Sequence, residues 1–384
     1  MTIRNRLLIM TDWFCPGFKA GGSITSCYNL AMLLKDEYIV YILTSDRDLG
    51  DRVPYNKIAT NQWIDFDGGV KVYYASPEGL SWRNIIREVK KVRADFIYLN
   101  SMYSIYFTIY PLLMKRLGLI SQHIFLSPGG MLKDSALKMK AFKKEAFLFV
   151  LNVIRIQNVI CFHATDDQEN KDIANKFGRK AIINQVYFPP PIPENSIFYP
   201  QKKSGELKLV FLGRIHPIKN LHFLIECLKK TPHHVELNVV GPNEDVVYFS
   251  QCKELANSLP INVTVSFVGS IEHERVKNYL KENHFLALPT AGENFGYAIL
   301  EALCVGRPVI ITDKTPWKDL EQQKAGWDLP FNNHREFIRA IDFAANMTQD
   351  EYNKWSESSW NFAYNMQKAP MYKNQYVQMF NKLT

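Results

Sequence analysis

The chain has 384 residues, of which 47% are hydrophobic and 22% charged, so a disordered or fibrous protein is excluded and two globular domains are expected. Its six scattered cysteines form no CxxC pair, which excludes a disulfide framework and a zinc-ribbon site. The net charge of +8 lies wholly in residues 1–190, where 25 Lys and Arg face 17 Asp and Glu. This asymmetry predicts either an anionic partner for that half or a basic, solvated face.

Neither the N-terminal apolar run nor the most hydrophobic stretch of the chain predicts insertion into a membrane. The N-terminal apolar run, residues 7–10, is too short for a signal peptide. The most hydrophobic stretch, residues 146–162, is interrupted by Arg155, Gln157 and Asn158 and is not expected to span a bilayer. We therefore expect a cytoplasmic protein. No helix-turn-helix, zinc-finger or RNA-binding motif is present, so nucleic acid is not an expected partner.

Short apolar runs alternate with helical patterns along the whole chain. In the first half the predicted strands are 6–10, 38–43, 70–75, 96–100, 123–127 and 159–165, with a helix over 23–35. In the second half they are 207–213, 235–241, 263–269, 285–290 and 308–312, with helices from 220 and from about 297. Strands that are apolar on both faces and alternate with helices indicate doubly wound, parallel α/β sheets.

The alternation occurs twice, on either side of a proline-rich segment. Residues 186–206 hold five of the 19 prolines, which disfavour both helix and central strand, so this segment is the predicted linker. We expect an N-terminal Rossmann-like domain over 1–188 and a C-terminal one over 189–364, facing each other across a cleft. The tail, about 365–384, is expected to be helical, kinked at Pro370, and packed back on the first domain.

Three strand-to-helix loops carry residues suited to a phosphorylated ligand, because ligands of open α/β sheets bind at the carboxyl ends of the strands. In "GRIHPIKN", Arg214 and Lys219 follow a strand, and two cations there suit a diphosphate, although two plain surface cations are the alternative. In "PGFKAGGSIT", Gly21 and Gly22 open a helix and allow main-chain amides to approach a phosphate, although a simple tight turn would look the same.

The third loop is "PTAGENFGYAILEALCVGRP", residues 289–308. Main-chain amides of Asn294, Phe295 and Gly296, at the start of a helix that includes Tyr297, are expected to point at an anion. A carboxylate at Glu293 would repel phosphate and therefore suits sugar hydroxyls, and Glu301, two turns further, could accept hydrogen bonds from a ribose diol.

Together these loops resemble the retaining glycosyltransferases of family 4, or glycosyl transferases group 1, which have the GT-B fold. The resemblance covers essentially the whole chain and is strongest from Val210 to Asp313, through "GRIHPIKN", "FVGSIEHERVKNYL" and the stretch just quoted. In the first half, "TSDRDLGD", "LSPGGML" and "HATDDQE" are similar to transferases of surface polysaccharide and lipopolysaccharide synthesis.

The resemblance implies a role for each group of residues. It implies that Arg214, Lys219 and Glu293 act in catalysis, the two cations on the departing diphosphate and Glu293 beside the anomeric carbon. Donor contacts are implied for a wider set, and main-chain recognition of the base is implied for a short segment at the end of a strand. The donor set is Gly21, Gly22, Asn294, Phe295, Gly296, Tyr297 and Glu301, and the base segment is Val268, Gly269, Ser270 and Ile271.

Three first-half residues are candidates for the acceptor side: Ser127, Gly129 and His163. Gly129 departs from the family, where many relatives carry His or Arg, which puts a usual donor-sugar contact in doubt. His163 either lines the cleft or is a hydrogen-bonded structural histidine. The triplet Asp65-Phe66-Asp67 looks like the metal-binding DxD of other transferases, but we expect no metal, because Arg214 and Lys219 would neutralise the diphosphate.

The sequence thus predicts an enzyme that moves a sugar from a nucleoside-diphosphate sugar to a glycan or polyprenyl-diphosphate-linked glycan, with no cofactor. Two other readings remain open: a nucleotide-sugar 2-epimerase and a catalytically silent sugar-nucleotide-binding protein. The aromatic run "YSIYFTIYPLLMKRLG" and the basic helix over 133–155 are either core or an anionic-membrane surface, so the protein is expected to be cytoplasmic or peripheral on the inner face of the membrane.

Overall fold

The computed structural model describes residues 4–133, 141–178, 180–187, 196–367 and 371–382. The chain divides into two compact units, one made of Met1–Pro189 with Pro370–Thr384 and the other of Pro190–Ala369. In the described part of the chain, no helix is both long enough and apolar enough to cross a bilayer.

The first unit is built on an eight-stranded sheet in the order β3-β4-β2-β1-β5-β6-β7-β8, parallel except for β3. Its strands are β1 Arg6–Met10, β2 Ile39–Ser45, β3 Trp63–Asp65, β4 Lys71–Ala75, β5 Phe96–Leu99, β6 His123–Leu126, β7 Cys161–Ala164 and β8 Ile182–Gln185. Its described helices are Gly22–Leu34, Trp82–Val92, Tyr110–Arg116, Ala141–Val153, Asp167–Phe177 and Met371–Asn381, with a π-helical turn at Ile105–Ile109.

Both faces of this sheet are covered, as the apolar strand composition predicted. On β1, Leu8 and Met10 belong to one buried cluster while Leu7 and Ile9 belong to another, because successive strand residues point to opposite faces. The second cluster is completed by Phe380 of the C-terminal helix, whose ring lies 4.8 Å from that of Phe125. The last helix is therefore part of the first unit's core.

The second unit has a six-stranded, wholly parallel sheet in the order β11-β10-β9-β12-β13-β14. Its strands are β9 Glu206–Leu212, β10 His234–Val240, β11 Val263–Gly269, β12 Phe285–Leu288, β13 Val309–Thr312 and β14 Gly326–Leu329. Its described helices are Leu221–Leu228, Val246–Asn257, His273–Glu282, Tyr297–Cys304, His334–Asn346 and Gln349–Gln367, with a 3₁₀ turn at Pro217–Lys219.

Parallel α/β architecture is confirmed in both units, and three strands were missed. The sequence did not indicate β3, β8 or β14, because β3 is three residues long and the other two mix polar residues or glycine into a short run. The predicted strand at 285–290 ends at Leu288, so Pro289 and Thr290 already belong to the loop. Residues 188–195 of the expected linker, 134–140 of the expected basic helix, and Pro370 of the expected kink lie outside the described residues.

Candidate functional site

The second unit has its topological switch point between β9 and β12. These two strands are neighbours in the sheet, yet β10 and β11 separate them in the chain. Loops after such strands diverge at the carboxyl edge and leave a crevice, which is where open α/β sheets bind ligands. The loops that begin after Leu212 and Leu288 are two of the three that the sequence singled out.

Lys219 and Glu293 meet at this edge. The Lys219 ammonium forms an ion pair with the Glu293 carboxylate, and the two side chains are only 15% and 12% exposed. Because both side chains are largely buried, each charge has lost most of its hydration. Removing one partner therefore leaves a poorly solvated charge behind. The structure brings together two residues that lie 74 positions apart in the sequence.

Hydrogen bonds between the two loops fix this geometry. Asn220 adopts a left-handed backbone with φ of 60°, and its buried side-chain amide donates to the Pro289 carbonyl at 3.1 Å. The main-chain N–H of Ala291 donates to the Ile218 carbonyl at 2.7 Å. These two hydrogen bonds join the loop that carries Lys219 to the loop that carries Glu293. The two charged residues are therefore positioned by contacts between the loops as well as by their own ion pair.

The helix Tyr297–Cys304 begins at a glycine for a steric reason. Gly296 has φ of 80°, and a Cβ at this position would lie 2.9 Å from Ile299 Cδ1. The preceding Phe295 carbonyl accepts a hydrogen bond from Trp317 Nε1 at 2.6 Å. The first N–H groups of a helix have no intrahelical partner and point away from its N-terminus. The N-terminus of this helix, with the positive end of its dipole, therefore lies at the same edge of the sheet.

Arg214 has a partner that the sequence did not reveal. Its guanidinium contacts the Glu244 carboxylate at 2.5 Å, with the two side chains 39% and 35% exposed. Glu244 lies in the loop after β10, in the run "GPNED", which carries no motif by itself. An ion pair this exposed contributes little to stability, so a diphosphate could take the place of Glu244 at small cost.

Glu301 lies in the second turn of the helix Tyr297–Cys304, which begins at the same edge of the sheet. Burial raises the pKa of this carboxyl from 4.5 to about 8. At neutral pH it is therefore mostly protonated, and ionisation would be favoured by donors such as the two hydroxyls of a ribose. The segment expected to recognise the base, Val268–Ile271, begins with the last two residues of β11, and Gly241 donates its N–H to the Gly269 carbonyl at 2.9 Å, which ties this segment to the end of β10.

In the first unit the glycine loop is anchored by a buried carboxylate. Gly21 has φ of 59°, a conformation that favours glycine, and Gly22 begins the helix that ends at Leu34. Asp48, which is 4% exposed, accepts from the main-chain N–H groups of Phe18 at 2.6 Å and Lys19 at 2.9 Å. The sequence pointed to "TSDRDLGD" only as a family likeness, so this positioning role of Asp48 was missed.

The switch point of the first sheet lies between β1 and β5 and carries a second carboxyl that the sequence did not single out. Asp12 follows β1 and accepts a hydrogen bond at 2.7 Å from the hydroxyl of Ser104, which follows β5. Burial raises the pKa of Asp12, although hydrogen bonds from Ser104 and Ser101 oppose the effect. No pattern in the sequence marked Asp12, because a single carboxylate after a strand is common.

The acceptor-side candidates have different surroundings. His163 is fully buried; its Nε2–H donates to the Val186 carbonyl at 2.7 Å and its Nδ1 accepts from the Tyr98 hydroxyl at 2.8 Å. Burial lowers the pKa of His163 to about 4. The cleft-lining role considered for His163 is therefore wrong and its structural role is correct. Ser127 is also fully buried, whereas a Cβ on Gly129, at φ of 60°, would meet no atom within 4 Å.

A buried glutamate holds the loop that contains Gly129. Glu169, which is 0% exposed, accepts from the Gly130 N–H at 2.6 Å through one oxygen. Its other oxygen accepts from the N–H and the hydroxyl of Thr165, at 2.8 and 2.6 Å. Burial raises the pKa of Glu169 and these hydrogen bonds lower it. Glu169 closes the motif "HATDDQE", which the sequence likewise offered only as a likeness.

The triplet Asp65-Phe66-Asp67 runs from the last residue of β3 into a 3₁₀ turn at Asp67–Gly69. Asp65 contacts the Lys71 ammonium at 3.0 Å, and the Phe66 ring packs edge-on against Phe14 at 5.3 Å between centroids. Within the described ranges, no group of three or more His, Cys, Asp or Glu side chains is placed to hold a metal ion.

Residues 194–361 match the family described as glycosyl transferases group 1. This range includes the loops at the carboxyl edge of the second unit's sheet. The match covers less than half of the chain and lies in the second unit, which therefore resembles the group 1 glycosyltransferases. A probable sucrose-phosphate synthase of Thermosipho melanesiensis is 29% identical over 188 residues, 47% of this chain and 43% of that protein. The O-antigen chain mannosyltransferase RfbU of Salmonella typhimurium is 26% identical over 169 residues, 44% of this chain and 45% of that protein.

The chain thus aligns with less than half the length of these two curated relatives. Among solved structures, the Anabaena protein HepE in complex with UDP and glucose superposes with a TM-score of 0.71 at 13% identity, over 99% of this chain and 100% of that one. At this identity the superposition shows a common fold, so the expected GT-B class is confirmed.

Proposed function

We propose that this chain is a group 1 glycosyltransferase that moves a sugar from a nucleoside-diphosphate sugar, with retention of anomeric configuration, to a glycan or polyprenyl-diphosphate-linked glycan. The observation that carries the proposal is the Lys219–Glu293 pair, 15% and 12% exposed and held at the switch point of a parallel sheet. That position is where a nucleotide ligand of this architecture binds.

The charges at this edge suit the bond that must break. Cleavage of the sugar–phosphate bond leaves negative charge on the diphosphate and positive charge on the anomeric carbon. Lys219 and Arg214 would stabilise the first, and the Glu293 carboxylate beside Lys219 would stabilise the second. A group fixed where charge develops is typically worth about 3–4 kcal/mol in the transition state.

The same arrangement supports the proposal of retention without a protein nucleophile. The acceptor hydroxyl would attack from the face that the diphosphate leaves, and its proton would pass to the departing phosphate oxygen. Glu293 is committed to Lys219 through a hydrogen-bonded ion pair, so we assign it an electrostatic role rather than that of a nucleophile.

The remaining donor contacts extend the proposal. Glu301 would accept hydrogen bonds from the ribose hydroxyls, amides of Asn294 to Tyr297 would bind the sugar or the distal phosphate, and the main chain at Val268–Ile271 would bind the base. In the first unit, the Gly21–Gly22 loop would offer amides to an anionic group. We propose that Arg214 and Lys219 neutralise the diphosphate without a metal ion.

The relatives suggest the biological setting. One is named for O-antigen chain mannosyl transfer and a similar structure contains UDP and glucose, which supports a nucleotide-sugar donor and a surface-polysaccharide acceptor. All six cysteines are free thiols, which supports a reducing, cytoplasmic location.

The test is incubation of the full chain with UDP-, GDP- and ADP-sugars in the presence of a chelator, with release of nucleoside diphosphate as the readout. Slow release without a metal is expected. An epimerised donor would instead indicate an epimerase, and binding without turnover would indicate a silent protein. Loss of turnover in the chelator would contradict the metal-free mechanism.

A pair of variants separates catalysis from folding. Lys219→Ala leaves Glu293 buried without its cation, so it is expected to lower both stability and turnover, whereas Lys219→Ala with Glu293→Ala recovers stability alone. The control is Lys208→Ala, because Lys208 is an exposed lysine of the same unit, paired with Glu236 at 3.7 Å. Recovery of turnover in the double variant would show that the pair is structural only.

A further inference from the structure

The helix Ala141–Val153 is apolar on two opposite faces. One face packs inward: Leu148 and Leu151 are 4% and 3% exposed and belong to the core of the first unit. Phe147 adds an edge-to-face contact with Tyr103 at 5.5 Å between ring centroids. These contacts hold the helix in one orientation, so its other face is fixed outward.

The outward face carries large apolar side chains at helical spacing, which we call the apolar stripe: Phe142, Phe149, Val150 and Val153. They are 86%, 69%, 52% and 62% exposed. Intervals of seven, one and three residues place them on a single side of an α-helix. Single exposed apolar residues are ordinary on a protein surface, whereas a continuous stripe marks an interaction surface.

A second exposed apolar segment adjoins the stripe. The Arg116 guanidinium donates to the Ile154 carbonyl at 2.7 Å, which joins the end of the helix Tyr110–Arg116 to the end of the stripe's helix. Leu117, directly after Arg116, is 66% exposed. An exposed apolar residue of a second element therefore lies near the end of the apolar stripe.

The charge around this surface has one predominant sign. Residues 113–119 and 141–155 contain five cations and one anion: Lys115, Arg116, Lys143, Lys144 and Arg155 against Glu145. The Lys144 ammonium lies over the Tyr103 ring at 5.3 Å, on the inward side of the helix, so it is not counted with the outward surface. A helix with exposed aromatic and aliphatic residues bordered by Lys and Arg is the arrangement that lies in the interface of a bilayer rich in anionic lipid. A second copy of this chain would bring the same cations against each other.

We propose that the apolar stripe docks this protein on an anionic lipid bilayer, with Phe142 and Phe149 at the boundary of the acyl chains and the surrounding cations against lipid phosphates. The helix lies in the interface and does not cross it. The proposal goes beyond the transfer reaction and does not depend on it, because lipid binding is measured without nucleotide or acceptor.

The test is flotation of the full chain with vesicles of zwitterionic lipid, with and without about one third of phosphatidylglycerol, at about 0.1 M and about 1 M salt. Binding is expected only with the anionic lipid and should weaken at high salt. Phe149→Asp with Val153→Asp should lower the bound fraction by about tenfold or more, because two charges then enter the apolar boundary. Lys143→Gln should weaken binding to anionic vesicles more than twofold.

The matched control is Val246→Asp with Val247→Asp, because these valines are 67% and 70% exposed on the second unit. The control should bind vesicles as the unchanged protein does. Absence of flotation with every lipid, or equal loss in the control, would overturn the proposal. Sedimentation without lipid identifies the other occupant: a dimer that the Phe149→Asp, Val153→Asp variant dissociates would mean that the stripe binds a second copy.

Discussion

Replacement of Glu301 by glutamine should make the ligand-free protein more stable, and more so at alkaline pH. Burial raises the pKa of Glu301 from 4.5 to about 8 in the folded chain. The folded state therefore holds a proton that the unfolded state releases above pH 4.5, so the stability of the unchanged protein falls as pH rises from 4.5 to about 8 and is constant above that.

The size of the effect follows from the same pKa values. A difference of one in pKa corresponds to about 1.4 kcal/mol, so the carboxylate costs the folded state about 2 kcal/mol at pH 6 and on the order of 4–5 kcal/mol at pH 9. Glu301 keeps part of its surface in water, which reduces both figures. Glu301→Gln should therefore gain about 2 kcal/mol more at pH 9 than at pH 6.

Urea unfolding at pH 6 and pH 9 without nucleotide measures this difference. The control is Glu321→Gln, because Glu321 is an exposed carboxylate of the same unit and its replacement should change stability equally little at both pH values. Equal effects of Glu301→Gln at the two pH values would refute the conclusion that burial holds this carboxyl protonated.

Three further outcomes are expected. Lys219→Ala should lower kcat by about two to three orders of magnitude, as loss of one preorganised charge does; a rate within a fewfold of the unchanged enzyme would contradict its assignment. Glu244→Gln should tighten binding of nucleoside diphosphate up to about fivefold, since it frees Arg214 from an exposed ion pair, while Glu236→Gln should not; calorimetry decides between them. Asp48→Asn should speed hydrogen exchange of the Phe18 and Lys19 amides, which donate to the Asp48 carboxylate. Asp67→Asn should leave the exchange of these amides unchanged, and equal protection in both variants would contradict the anchoring role of Asp48.

The parts of the fold that could be predicted are those in which one strand carries its own pattern. β1, β9 and β12 contain continuous apolar runs, at 7–10, 209–211 and 285–288, and these runs are buried on both faces of their sheets. β3 was missed because its pairing is set by the neighbouring β4 rather than by its own three residues. β14 was missed for a similar reason, since Gly326 and Asp328 interrupt a four-residue strand.

The candidate site was predictable to the level of its residues, but not of their partners. Lys219 and Glu293 were found because each follows a strand in a motif, whereas the ion pair between them depends on β9 and β12 lying side by side. Glu244 and Asp48 act through contacts between loops that are distant in sequence. His163 could not be assigned from the sequence, because the sequence pattern of a histidine at a strand end is the same whether its ring faces water or is buried. Here the ring is hydrogen-bonded to a carbonyl and a tyrosine.

The most direct test of the account is a crystal structure of the full chain with a nucleoside diphosphate, grown in the presence of Mg²⁺. We predict that phosphate oxygens contact the Arg214 guanidinium and the Lys219 ammonium, that Glu244 has moved off Arg214, and that no ion bridges the two phosphates. A diphosphate bound away from these two cations, or coordinated to a metal ion, would contradict the account.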